Sequence, residues 1–197
     1  MQFINPRTDY AFKKIFWSEE SKDILLSFLN AILDFKWQNR IKEVEILDPW
    51  VAPRIEWLKN TYLDVKVKTE SGKQIIIEMQ VLHVKWFDKR VIYNLTKTYS
   101  NQIKRSEDYL KLQPVIALTI TNFVMFNDFK DCISNFILKE KTLNKDYYNW
   151  DLELCFVELP KFKKELQELV TITDKWIYFL KNVDDLSVIP KEFNIED

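Results

Sequence analysis

Two acidic residues and a glutamine lie within the strands of a predicted hairpin that has one apolar side, in the first half of the chain. The segment 62–80 reads YLDVKVKTESGKQIIIEMQ, and the three residues are Asp64, Glu78 and Gln80. Carboxylate oxygens are the hard ligands that Mg²⁺ accepts, with water and phosphate oxygens completing its shell. The residue types therefore raise the hypothesis of a divalent-cation site on this hairpin.

The register of the hairpin decides whether these residues meet. A two-residue loop at Ser71-Gly72 would place apolar residues opposite charged ones, although register normally follows the hydrophobic pattern. A three-residue loop over 70–72 instead closes a type I turn with Gly72 in the left-handed region. This loop sorts the two faces and predicts the pairs Thr69–Lys73, Val67–Ile75, Val65–Ile77, Leu63–Met79, Lys66–Ile76, Asp64–Glu78 and Tyr62–Gln80.

The predicted register places two carboxylates, Asp64 and Glu78, directly opposite each other. The Cβ atoms of such a pair lie roughly 4.5–5.5 Å apart, and like charges in that position destabilise a sheet. A divalent cation between them would reverse the sign of the interaction. The alternative is that both carboxylates are solvated on an outer face and neutralised by Lys66 or Lys68.

The rest of the chain predicts an α/β protein around the hairpin. Apolar residues at helical spacing indicate helices, and the β-branched run PVIALTIT at 114–121 indicates a strand buried on both faces. The predicted helices cover about 9–16, a longer segment after Ser18, 86–111, and one or two segments within 161–183; the predicted strands cover 43–47, the hairpin, 114–121, 136–139 and 152–159. This order indicates helices packed on a central sheet.

The composition narrows the possible classes of site and location. With 29 basic and 30 acidic residues the net charge is -1, so no global positive field attracts nucleic acid. A lone histidine, His83, excludes a histidine-based zinc site and a serine triad that needs several histidines. Cys132 and Cys155 lie far apart without metal or disulfide spacing, which indicates a reducing, cytoplasmic location. No stretch approaches the roughly 20 apolar residues that span a membrane.

An ordered set of motifs resembles one protein family. The acidic residue on one hairpin strand and Glu-x-Gln on the next resemble the PD-(D/E)XK nuclease superfamily. Further segments resemble one branch of it, the recombination-promoting nuclease and transposase family: TDYAFKKIF at 8–16, FLNAIL at 28–33, LDVKV at 63–67, IEMQ at 77–80, VELPKF at 157–162 and WIYFLK at 176–181. These motifs run from the first predicted helix to the last, so the resemblance covers nearly the whole chain.

The resemblance implies a restriction-endonuclease-like core with a central mixed β-sheet flanked by helices. Residues 1–197 would form a single nuclease-like domain, as one compact domain is also the default at this length. Members of the family are often longer, which leaves open that this chain lacks a C-terminal region.

The activity that the resemblance implies is hydrolysis of DNA phosphodiester bonds with Mg²⁺ or Mn²⁺. Asp64 and Glu78 would ligate the metal, and the Met79 carbonyl could add a ligand. The superfamily usually has Lys at the third motif position, whereas this chain, like its branch, has Gln80. Glutamine can position a water molecule but supplies no positive charge.

Further residues are candidates for supporting roles. Asp9 matches the acidic residue of the family's first helix and would complete the metal site; the alternative is a carboxylate that complements the helix dipole, worth roughly 0.3–1 kcal/mol. Arg90, Tyr93 and Lys97 share one face of a predicted helix, which could bind the DNA backbone. The alternative is a solvated helix face with Tyr93 half-buried.

The leading hypothesis is a DNA endonuclease of low sequence specificity whose breaks promote recombination or transposition. A homodimer with two sites would make double-strand breaks easiest. One rival is a protein that kept the nuclease fold, lost turnover, and binds DNA or a protein partner without metal; Gln80 in place of Lys leaves this open. A third alternative is a phosphodiesterase that acts on another substrate.

Overall fold

The protein consists of four helices, a six-stranded sheet and a separate pair of short strands in the part that the structure describes. The structure is a computed structural model, and it describes residues 7–34, 40–51, 61–147 and 150–183. The helices are α1 (Asp9–Phe16), α2 (Lys22–Ile32), α3 (Phe87–Ser100) and α4 (Ile172–Asn182). The strands are β1 (Val44–Leu47), β2 (Trp50–Val51), β3 (Thr61–Tyr62), β4 (Val65–Thr69), β5 (Gln74–Gln80), β6 (Val115–Thr121), β7 (Ile133–Ile137) and β8 (Leu152–Glu158).

The large sheet is mixed, with the strand order β1-β4-β5-β6-β8-β7. Strands β1, β4 and β5 are antiparallel neighbours, whereas β5, β6 and β8 run parallel and β7 pairs antiparallel with β8. A parallel pair needs a long connection, and between β5 and β6 that connection contains α3. The predicted fold class, α/β with a central mixed sheet flanked by helices, is confirmed.

The two faces of the sheet carry different helices because side chains alternate along each strand. On one face, Ile75 and Ile77 of β5 join a core with Phe12 of α1, Phe28 of α2 and Leu180 of α4. The other face packs against α3, as the second core shows: it contains Leu63, Ile76, Phe87, Val91, Leu95, Val115, Ala117 and Phe156. The face that carries Glu78 and Gln80 is therefore covered by a helix.

The turn of the hairpin has the predicted three-residue geometry. The Thr69 amide donates to the Lys73 carbonyl at 2.9 Å, and the Gly72 amide donates to the Thr69 carbonyl at the same distance. Gly72 has a φ of +89°, a region that residues with a side chain rarely adopt. The resulting register pairs Val65 with Ile77 and Val67 with Ile75, as the hydrophobic pattern predicted.

The predicted pairing is wrong at the open end of the hairpin. The ladder between β4 and β5 stops at Val65, so Asp64 and Leu63 form no backbone pair with β5. Tyr62 pairs with Trp50 in the small β2–β3 ribbon and not with Gln80. The chain leaves β5 here because the preceding residues join that ribbon, with the Leu63 amide donating to the Pro49 carbonyl at 3.1 Å.

Helix α3 ends eleven residues before the predicted end at 111. Its last residue is Ser100, and Gln102 then binds the start of β6 through both ends of its side chain. The Gln102 amide donates to the Gln113 carbonyl at 2.8 Å, and its oxygen accepts from the Gln113 amide at 2.9 Å. A separate 3₁₀ turn covers Tyr109–Lys111. None of the helices in the described ranges is both long enough and apolar enough to cross a membrane.

Candidate functional site

The candidate site lies where the end of β5 meets the first turns of α3. Ile76 packs against α3 in the second core, and the alternation of side chains places Glu78 and Gln80 on the same face of the sheet. The Glu78 side chain is only 15% exposed to solvent. A carboxylate buried to this degree needs partners, because removing a charge from water is costly.

The first partner of Glu78 is Arg90 on α3, which bridges two of the candidate residues. Its Nη2 donates to Glu78 Oε1 in a short ion pair and to Gln80 Oε1 at 2.5 Å. The guanidinium carbon lies 5.4 Å from the centre of the Trp86 ring and 5.1 Å from that of Phe87. The two rings and two acceptors thus hold the Arg90 cation beside the Glu78 carboxylate.

The second partner of Glu78 is Asn94, which the sequence interpretation missed. Its Nδ2 donates to Glu78 Oε2 at 3.3 Å, and the residue is only 2% exposed. Its position one turn after Arg90 is a signal that could have identified it, since residues four apart share a helix face. Within the described ranges, Asn94 Oδ1 and Arg90 Nε are buried and have no hydrogen-bond partner. The site thus retains one unused acceptor and one unused donor.

Burial governs the protonation of Glu78. It raises the pKa of the Glu78 carboxyl above its ordinary value, and the Arg90 guanidinium and the Asn94 amide offset part of that rise. The carboxylate therefore carries an unfavourable desolvation energy that a nearby positive charge reduces.

Asp64 reaches β5 through its side chain, although it forms no backbone pair with that strand. Its Oδ2 accepts a hydrogen bond from the Met79 amide at 2.7 Å. Because Met79 directly follows Glu78, this bond brings the Asp64 carboxylate to the strand position that carries Glu78. The Asp64 carboxylate therefore binds the backbone next to Glu78, by a contact different from the predicted one.

The ligands that this region offers fit Mg²⁺, which keeps several water ligands, better than they fit a metal that needs all of its ligands from side chains. No group of three or more His, Cys, Asp or Glu residues in the described ranges could hold a metal ion. Mg²⁺ is commonly bound by one or two carboxylates and keeps several waters or phosphate oxygens. Asp64 and Glu78 provide two carboxylates, and the unused atoms of Arg90 and Asn94 show that the hydrogen bonding at the site is incomplete.

The structure describes the side chain of Gln80 but not that of Asp9, the other residue predicted to support the metal site. The amide of Gln80 donates from Nε2 to the Leu82 carbonyl at 2.7 Å, so both ends of this side chain have partners. Asp9 is the first residue of α1, and its side chain lies outside the described part of the chain. The proposed ligand role of the Met79 carbonyl stays a prediction.

The three residues predicted to bind DNA lie along α3 but differ in exposure. Tyr93 is 36% exposed, whereas Lys97 is only 8% exposed and its Nζ lies 5.5 Å from the centre of the Tyr93 ring. Burial lowers the pKa of the Lys97 ammonium. Arg90 faces the sheet and is paired there with Glu78. A role of this face in binding DNA stays a prediction.

A second buried acid lies at the same end of the sheet and has a structural role. The register pairs Gln80 with Thr121 and Thr121 with Glu158, which is 0% exposed. Glu158 accepts from the Met125 amide at 2.6 Å and from Lys161 at 2.5 Å. These bonds fasten the loop after β6 to the end of β8.

Comparison with known proteins gives one match. A family model described as PD-(D/E)XK nuclease family transposase matches residues 6–196. Neither the search of curated proteins nor that of solved structures gave a significant match.

Proposed function

Because the chain belongs to the PD-(D/E)XK nuclease family of transposases, we propose that it is a Mg²⁺-dependent DNA endonuclease of low sequence specificity. It would hydrolyse phosphodiester bonds during recombination or transposition. The observation that carries this proposal is the contact between Asp64 and β5, which brings a second carboxylate to the position of Glu78. Residues 1–197 would form one nuclease domain.

The roles of the residues follow from their contacts. Asp64 and Glu78 would bind the cation, with the Met79 carbonyl and Asp9 as further proposed ligands. Bound there, Mg²⁺ or Mn²⁺ would lower the pKa of a coordinated water and stabilise negative charge on the phosphate. Gln80 is fixed by the Leu82 carbonyl and holds Arg90 next to Glu78, so it orients the charged groups of the site.

DNA is the proposed substrate, and the attraction for it would be local. The net charge of -1 gives the whole molecule no positive field. The proposed contacts to the DNA backbone are Arg90, Tyr93 and Lys97 on α3, supplemented by the cation. Backbone contacts position a duplex without reading its sequence, which is consistent with low sequence specificity.

We also propose that the protein forms a homodimer, since two sites would cut both strands. A cytoplasmic location is proposed as well, because the free thiols of Cys132 and Cys155 favour a reducing compartment.

A specific observation favours a second candidate function. Arg90 already neutralises Glu78, so the fold does not need a metal to compensate this buried carboxylate. A protein that binds DNA or another protein through a nuclease fold, without turnover, is consistent with that pairing and with the uncharged Gln80.

Cleavage of DNA by the purified protein tests the two functions against each other. The proposal predicts that the wild type cuts supercoiled plasmid with Mg²⁺ or Mn²⁺ and that a folded Asp64→Ala variant does not. Absence of cutting by the wild type on duplex, nicked and branched DNA would favour the binding function. Equal cutting by both proteins would point to a contaminant or to another site.

A further inference from the structure

The pairing of Arg90 with Glu78 has a consequence for any cation that enters the site. The Arg90 guanidinium and a divalent cation would be attracted by the same Glu78 carboxylate, and these two positive groups repel each other at short range. Asn94 and Gln80 are uncharged and compensate neither charge. A cation that binds Glu78 therefore weakens the hold of that carboxylate on Arg90.

Arg90 is well suited to take an anionic partner in exchange. All of its side-chain hydrogen bonds to the described residues are made by Nη2, and the buried Nε has no partner there. The guanidinium carries five donors in a planar fork that matches phosphate oxygens. The side chain is 30% exposed, and the Trp86 and Phe87 rings restrict where its head can move.

We infer that Arg90 exchanges partners during the working cycle of the site: it neutralises Glu78 in the metal-free protein and turns to a DNA phosphate once a divalent cation occupies Glu78. The inference rests on the proposed function and adds to it the group that supplies a positive side chain to the substrate. It also makes DNA binding by Arg90 conditional on the cation. An arginine that served only to stabilise the fold, or only to attract DNA, would show no such condition.

The first test measures competition for Glu78 by titration calorimetry. Mg²⁺ is titrated into metal-free wild type, Arg90→Gln and the control Lys89→Gln, which removes a positive charge from an exposed position on the same helix. Because a hydrogen bond to a charged group is worth enough to change affinity tenfold, Arg90→Gln should bind Mg²⁺ at least about tenfold more tightly. Lys89→Gln should match the wild type. Unchanged or weaker Mg²⁺ binding by Arg90→Gln would overturn the inference.

The second test measures affinity for a short DNA duplex with and without Ca²⁺, which serves as a non-cleaving probe. With Ca²⁺, Arg90→Gln should bind about tenfold more weakly than the wild type, and the slope of log affinity against log salt should fall by about one. Without Ca²⁺ the two proteins should bind equally, since Glu78 occupies Arg90. An equal loss under both conditions, or no loss in either, would contradict the exchange.

Arg90→Lys guards against loss of folding, because it retains the charge but not the planar fork. It should fold as judged by circular dichroism, bind Mg²⁺ like the wild type, and recover only part of the cation-dependent DNA affinity. Recovery to the same extent with and without Ca²⁺ would contradict the inference, because the positive charge at this position would then bind DNA without first leaving Glu78.

Failure of this inference is separable from failure of the proposed function. A wild type that binds neither Mg²⁺ nor Ca²⁺ would overturn both. A wild type that binds cation and DNA with the predicted exchange but never cuts would contradict only the nuclease activity.

Discussion

The Asp64 carboxylate accepts a hydrogen bond from the Met79 amide at 2.7 Å. This bond connects the two sides of the hairpin beyond the last residue pair of the backbone ladder. This bond gives Asp64 two tasks: it fastens the chain to β5 and it brings a negative charge to the neighbourhood of Glu78. The two tasks respond differently to substitution, since the first needs an acceptor and the second needs a charge.

Substitutions of Asp64 should separate these tasks. We expect Asp64→Asn to keep the acceptor and to change the free energy of unfolding by less than about 1 kcal/mol, whereas Asp64→Ala should lose about 1–2 kcal/mol. Both should lose Mg²⁺-dependent cleavage. Urea denaturation and plasmid cleavage measure the two effects. Retention of activity in Asp64→Asn would remove Asp64 from the metal site.

The buried carboxyl of Glu78 predicts how cation binding depends on pH. Burial raises its pKa above the ordinary value of 4.5, and Glu78 must be ionised to hold a cation. Calorimetric Mg²⁺ affinity should therefore fall about tenfold per pH unit once the pH drops below that raised pKa, with release of about one proton per cation bound. Affinity that stays constant down to pH 4.5 would contradict this assignment.

Glu78 should also make the stability of the metal-free protein depend on pH. This contribution to stability should fall as the pH rises, whereas the affinity for the cation should rise. Because the pKa of Glu78 is higher in the folded than in the unfolded state, its stabilising contribution is present below the unfolded pKa and is lost as the pH rises through the folded one. Urea denaturation of wild type and Glu78→Gln across this range isolates the effect. The difference in unfolding free energy between them should change with pH, and a constant difference would argue against the shift.

The ion pair between Glu158 and Lys161 should contribute strongly to stability. Its side chains are 0% and 8% exposed, so Glu158→Gln leaves a buried ammonium without its counter-charge. We expect a loss of about 3–5 kcal/mol in the free energy of unfolding, with partial recovery in the double variant that also carries Lys161→Met. Urea denaturation of the wild type, Glu158→Gln, Lys161→Met and the double variant gives the coupling energy.

An exposed ion pair provides the comparison. Lys139 and Asp146 lie 3.2 Å apart and are both 42% exposed, so Asp146→Asn should cost less than about 1 kcal/mol. Similar losses for Glu158→Gln and Asp146→Asn would show that burial of the first pair has no energetic consequence.

Gly72 should be the most sensitive position in the hairpin turn. Its φ of +89° disfavours any side chain, and an added Cβ would lie 3.1 Å from Gln113 Oε1. Since that glutamine end can move, the backbone provides most of the cost, and Gly72→Ala should destabilise by about 1–2 kcal/mol. Gly72→Asn should cost less, because asparagine tolerates the left-handed region better. Thermal unfolding of both variants distinguishes this cause from simple crowding, which predicts that the larger Asn costs more.

The sequence predicted those parts of the fold that depend on local pattern. Val65 and Val67 alternate with lysines, and the three-residue turn places them opposite Ile77 and Ile75 on a common face, so the register could be deduced. The end of α3 could not, because Gln102 binds Gln113 across a loop that periodicity does not reveal.

The candidate site was predictable in its residues but not in its contacts. Asp64, Glu78 and Gln80 are visible as carboxylates and an amide within predicted strands. Helical spacing also grouped Arg90 with its neighbours, yet it could not show that this face turns toward the sheet, since the direction depends on how α3 packs on Ile76. For the same reason, the spacing indicates neither the contact of Asn94 with Glu78 nor the ion pair between Arg90 and Glu78.

The central claim is that Glu78 binds the divalent cation that DNA cleavage requires. The most direct measurement is cleavage of supercoiled plasmid by Glu78→Gln in Mg²⁺ and in chelator, next to Glu45→Gln, which makes the same change at an exposed position on β1. We predict that the wild type and Glu45→Gln cut only with Mg²⁺ and that Glu78→Gln is slower by at least about a hundredfold. Equal rates for Glu78→Gln and the wild type, or cutting in chelator, would contradict the claim.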